Sequence, residues 1–327
     1  MFDLTSRNQT VPAEDVVAAI IDPAELEALV LEGLDAPPAE DDDRPAEALA
    51  GRVVQAFMLG QGWRVAEHRA AWLAALDKRQ LADGTWPYDP NWRREIRIIG
   101  QVSAAYFLLG GRPRHRIALV DELQERQRLE RWLAARNWAS PWGGAGHDVI
   151  GLIQTMANLG IGSSGVACQV MDYVERLVDP ESGHIAVGYH DEPGDQQFGA
   201  CFAFGILYAF LHRGFPWADR LLDFLFTRQH ASGSWAEQFP GGSFNMDAAW
   251  LLSRYTRLLP HRRAEAEAAL RRLADYLRGE LACRVGDERR KAALAMHKTI
   301  GLLAEVFPSP THGHRIWRFA TDVTIHP

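Results

Sequence analysis

The apolar positions of this chain fall into two kinds of run, and the two kinds alternate. One is amphipathic, with charges along one face, as in His68-Arg69-Ala70-Ala71-Trp72-Leu73 and Arg263-Ala264-Glu265-Ala266-Glu267. The other is small and apolar on nearly every side, as in Ala50-Gly51-Arg52-Val53-Val54-Gln55-Ala56-Phe57. Spacings of three and four predict helices for both, the first half exposed and the second covered on most sides. Amphipathic helices are expected at about 66–80, 117–136, 164–178, 216–230 and 262–282. Apolar helices are expected at about 46–60, 93–109, 146–159, 196–212, 244–258 and 288–306. The apolar set recurs roughly every fifty residues, a period of repeat architectures. Strand patterning is poor, with one short extended candidate at 184–189.

Six apolar helices and five amphipathic ones, with a sixth in 13–33, describe a closed ring of helix pairs: an all-α (α/α)6 toroid over residues 46–306. An open solenoid has the same periodicity, because spacing does not show closure. Residues 1–45, a helical segment and an acidic, proline-rich stretch from Ala36 to Pro45, are expected to pack on the ring. Residues 307–327, with Ile316, Trp317 and Phe319, form a tail that folds over one mouth as a lid or packs outside the ring.

Two turns repeat at the ends of amphipathic helices. Gln80-Leu81-Ala82-Asp83-Gly84-Thr85-Trp86 is matched by Gln229-His230-Ala231-Ser232-Gly233-Ser234-Trp235, 149 residues later, which is three repeats. Both resemble the QW motif of the terpenoid cyclase and protein prenyltransferase superfamily, whose domains are helical toroids. The resemblance implies that glutamine and tryptophan tie the end of an outer helix to the turn that enters the next inner helix. Looser copies run from Arg136 to Trp142 and from Asp179 to His184. The acid motif DxDD and the metal motif DDxxD of that superfamily's cyclases are absent, and Glu40 to Asp43 has the wrong spacing and setting. The resemblance therefore implies the ring and not the chemistry. A zinc set of the prenyltransferase kind, drawn from Asp195, Cys201 and either His190 or His297, lacks the close Asp-x-Cys spacing, so no metal and no cofactor are expected.

Composition narrows the partners. A chain of 327 residues that is 47% apolar has ample material for a core. A net charge of −7 argues against nucleic acid and against an acidic membrane surface. No apolar run reaches the roughly 20 residues of a membrane span. Glu14-Asp15 and Asp22 break any signal-peptide pattern, and Cys168, Cys201 and Cys283 are odd in number and far apart without a CxxC spacing, so neither a disulfide framework nor a cysteine-rich zinc site is indicated. A cytoplasmic protein with a small-molecule substrate is expected.

In a ring of helix pairs the turns entering the apolar helices form the mouth of a central cavity, where polar groups from several repeats converge. His147 is the leading acid or base there, with Asp148 beside it to tune it. The next turn supplies Tyr189, His190 and Asp191, then Asp195 as a cap or a functional acid and Gln197. Asp247 opens the fifth apolar helix, where a carboxylate is also favoured by the helix dipole, and Asn245 is a cap or a contact. Trp86, Tyr88, Trp92, Arg94, Trp138 and Trp142 are candidates to wall the cavity and grip a substrate, and His297 and Gln101 are deeper polar groups. No phosphate-binding loop, HExxH motif or GxSxG elbow is present. These residue types suit a lyase or isomerase of cyclase-like character, using acid and base groups for elimination, isomerisation or cyclisation of a small isoprenoid-like substrate in an aromatic-lined cavity. A carbohydrate-active toroid, either polysaccharide lyase or glycoside hydrolase, and a non-catalytic toroid that binds a ligand or partner are the open alternatives.

Overall fold

Helices form at the positions that the alternation predicts. In the computed structural model the described residues are 15–32, 36–39, 42–58, 61–88, 95–136, 138, 144–161, 163–178, 208, 216–236 and 243–307. Within them lie α1 (Val16–Ile20), α2 (Pro23–Leu31), α3 (Ala46–Met58), α4 (Gly62–Ala66), α5 (Arg69–Asp77), α6 (Glu95–Leu108) and α7 (Ala118–Glu122). These are followed by α8 (Arg126–Ala134), α9 (Gly144–Leu159), α10 (Ser163–Glu175), α11 (Ala218–Arg228), α12 (Ser243–Leu258), α13 (Arg263–Ala282) and α14 (Gly286–Val306). The fold is all-α, with no strand among the described residues.

The apolar helices α3, α6, α9, α12 and α14 begin within two residues of expectation. The fourth, at 196–212, lies outside the described residues except for buried, helical Tyr208. The amphipathic set is more broken than predicted. Segment 66–80 begins in the last residue of α4 and continues as α5, 117–136 is split into α7 and α8, and 13–33 into α1 and α2. The last split has a clear cause. Pro23 cannot continue a helix but suits the first position of a new one, and the Asp22 carboxylate accepts from the Ala24 amide at 2.8 Å.

Helix α6 shows why the apolar set reads as it does. Ile96, Ile98, Ile99, Val102, Ala105 and Tyr106 are all buried, so the helix is covered nearly all round. Helices α3, α6 and α9 pack side by side in chain order, and α12 packs on α14. The α6–α9 contact is the most extensive, because Gly100 and Gly151 let the backbones meet; a Cβ on Gly151 would lie 2.6 Å from the Ile96 carbonyl oxygen.

The amphipathic helices lie over the joins. Helix α13 packs on both α12 and α14, and α10 on both α8 and α9. Helix α2 makes the same kind of contact with α14 and α3, so the first described helices and the last are packed together. Arg289 pairs with Glu25 at 3.3 Å and Arg290 pairs with Glu32 at this contact. Among the described residues no helix is long and apolar enough to cross a membrane.

Candidate functional site

The two repeated turns have nearly the same geometry. The Trp86 indole N–H donates to the Leu76 carbonyl at 3.1 Å, and that of Trp235 to the Leu225 carbonyl at 2.8 Å, so each ring is pinned to the last turn of its own amphipathic helix. Gln80 Nε2 donates to Gly84 and His115 carbonyls at 2.9 and 3.0 Å while its oxygen accepts from the His115 amide at 2.7 Å. Gln229 Nε2 donates to Gly233 and Ala269 carbonyls at 2.8 Å each, and its oxygen accepts from Arg272. The glutamine thus fastens its own turn to the next amphipathic segment, a longer reach than the resemblance implied. The third turn substitutes arginine: Trp138 donates to the Leu133 carbonyl at 2.9 Å, and Arg136 pairs with Asp148 at 3.2 Å.

This fastening accounts for several expected site residues. Trp86 and Trp138 are buried and hydrogen-bonded within it, packed on Tyr106 and Tyr173. Asn245 is fully buried and accepts from the Trp235 amide at 2.7 Å and the Ser234 hydroxyl at 3.1 Å, which makes it a clamp on the second turn. Asp148, also fully buried, is directed to Arg136, which lies over the Trp132 ring. Tyr88 is exposed. His147 lies in α9, but its side chain is outside the described residues, as are Trp92, Arg94, Trp142, Tyr189, His190, Asp191, Asp195 and Gln197.

Asp247 is different. It is the fifth residue of α12, past the first turn, so the helix dipole does not explain it. Its side chain is buried, and Oδ1 has no hydrogen-bond partner among the described residues. Burial pushes its pKa well above the ordinary carboxyl value, and the positive charges of Arg97 and Lys298 partly oppose that rise. Lys298 is partly buried, and its pKa is lowered by burial and then by Arg97, with Asp247 acting in the other direction. Arg97 remains exposed. These three groups come from α6, α12 and α14, and each is near enough for its charge to act on the others.

His297 precedes Lys298. Its Nδ1 donates to the Leu294 carbonyl, which fixes the proton there and leaves Nε2 as a buried acceptor with no partner among the described residues. Burial lowers its pKa to about 4. A neutral imidazole, a carboxyl biased toward its acid form, an amine and a guanidinium supply both proton donors and proton acceptors. Of the expected residues, Asp247 and His297 belong to these helices; Arg97 and Lys298 were not anticipated. The available signal was a cation inside an apolar run, Ile96-Arg97-Ile98 and Met296-His297-Lys298-Thr299-Ile300. Among the described residues no three His, Cys, Asp or Glu side chains gather to hold a metal.

No protein-family model, curated protein or solved structure matches this chain.

Proposed function

We propose that the helix pairs close into an (α/α)6 toroid of the terpenoid cyclase kind, and that the protein is a lyase or isomerase working by proton transfer in the central cavity. The observation that carries both parts is the charge coupling of Arg97 to Asp247, whose carboxyl pKa the guanidinium lowers against the effect of burial. The two residues lie on the second and fifth apolar helices, three repeats apart. With contacting helix axes about 8–10 Å apart, an open array would separate them by about 30 Å, too far for one charge to act on the other through solvent. In a ring of six, the second and fifth helices face one another across the cavity. The contacts of α2 with α14 and α3 support the same closure.

Asp247 is then the proton donor and acceptor, His297 a second acceptor, and Arg97 and Lys298 the cations that hold or polarise a small substrate. The isoprenoid-like class comes from the two fasteners alone, since Trp72, Trp86, Trp138, Trp235 and Trp250 are committed to the core, Trp132 and Trp217 pack against it, and Trp63 is exposed. Cytoplasmic location is part of the same reading, resting on charge and on three widely separated cysteines without a CxxC spacing. The test is a thermal-stability screen of the protein against isoprenoid and oligosaccharide panels, followed by turnover of whichever class stabilises it. Asp247→Asn should keep the melting temperature and remove turnover. Full turnover in that folded variant would overturn the assignment, and a shift only with oligosaccharides would move the substrate class to sugars.

A further inference from the structure

Helices α1 and α13 pack together, yet the short side chains of Ala19 and Ala274 leave a groove of about 90 Å³ between them. Val16, Ala19 and Ile20 line it from α1, three and four residues apart and so on one face of that helix. Ala274 and the charged residues Arg271, Asp275 and Arg278 line it from α13, again at helical spacing. Ile20 and Ala274 are buried while the three charged residues are exposed, so the floor is apolar and the rim is charged. On the rim Arg278 is engaged by Asp275 at 2.7 Å, but Arg271 makes no hydrogen bond or ion pair among the described residues. Its guanidinium lies over the Phe307 ring, 4.5 Å from the centroid. Stacking of this kind occupies the face of a guanidinium and leaves free its N–H edge, which grips a carboxylate through two parallel hydrogen bonds.

We propose that the groove binds a small carboxylate with a short apolar tail, the carboxylate on Arg271 and the tail between Ala19 and Ala274. Charge selects the anion. Two arginines and one aspartate leave the rim with a surplus of one positive charge, in a chain whose net charge is −7. Size selects the tail, since the volume holds about three to five carbon-sized groups and has no room for a helix or a long acyl chain. The groove lies between amphipathic helices, whereas Asp247 and His297 are on the apolar helices α12 and α14. The inference is therefore independent of the proposed chemistry. A ligand seated there touches α1 and α13 at once, and because it binds only the folded chain it should raise thermal stability.

The test is a titration of the full chain at pH 7 with isovalerate, with isoamyl alcohol as the same tail without charge and acetate as the same charge without the tail. Binding is followed by NMR at the methyl groups of Val16, Ala19, Ile20 and Ala274. Isovalerate should shift these signals with a Kd of about 1–10 mM, and the alcohol and acetate should bind at least about tenfold more weakly. Arg271→Gln changes an exposed side chain, so it should keep the fold and weaken isovalerate at least about tenfold, the effect of losing a charge-assisted pair. Ala19→Leu should fill the groove and remove the shift at Ala274; should that variant fail to fold, Arg271→Gln decides alone. Equal affinity for isovalerate in the parent and in Arg271→Gln would overturn the proposal. So would isoamyl alcohol binding as tightly as isovalerate, which would leave an apolar gap without an anion site. No shift at the four methyl positions would overturn it equally.

Discussion

Burial that leaves Oδ1 without a hydrogen-bond partner among the described residues gives Asp247 a pH signature opposite to that of His297. Because the folded pKa of Asp247 lies above 3.8, the native state holds its proton more tightly than the unfolded chain. Its contribution to stability is complete below about pH 4 and is lost as pH rises through the folded pKa. His297 has a folded pKa of about 4 against 6.5 unfolded, so its contribution is present above pH 6.5 and is lost as pH falls toward about 4. Urea unfolding at a series of pH values should therefore show Asp247→Asn gaining on the parent as pH rises, and His297→Gln gaining as pH falls from 6.5 to 4. Parallel curves would show that the two groups are not buried as described. At this scale Asp247 and His297 were legible because they are polar residues on apolar helices. Asp148, Asn245, Trp86 and Trp138 looked like chemistry and proved to be fastened, because their partners are distant backbone groups and an arginine that spacing does not reveal.

The fasteners belong to the scale of elements, and their glycines are the sharpest test. Gly84 has φ +86° and Gly233 φ +98°, and a Cβ would lie 2.1 Å from the Arg116 carbonyl oxygen in one case and 2.2 Å from that of Arg272 in the other. Alanine at either position meets both an unfavourable backbone conformation and a backbone clash that no side-chain movement relieves. Each substitution should destabilise the protein by about 2–4 kcal/mol in urea unfolding, with a similar value at the two sites because the geometry repeats. A loss under about 0.5 kcal/mol at either would show that the turn is not held as described. The five apolar helices among the described residues are legible almost to the residue, since burial on all sides leaves a continuous signal. The amphipathic helices were read as longer than they are. Short breaks such as the one at Pro23 keep the same apolar face turned inward, so the periodicity runs through them.

For the whole molecule, period and closure had to be separated. The fifty-residue period was visible in the sequence; the closure proposed for it is not, because it rests on α2 packing against α14 and α3 and on which helices face one another. Charge coupling between Arg97 and Asp247 is what the proposed closure explains, since they lie on different helices 150 residues apart. The most direct measurement is the carboxyl titration of Asp247, followed by NMR in the parent protein and in Arg97→Gln. Arg97 holds the carboxyl pKa down against the effect of burial, so the titration midpoint should be higher in the variant. The same midpoint in both proteins would mean that the two helices do not face one another, and would contradict the closed ring and the site inside it.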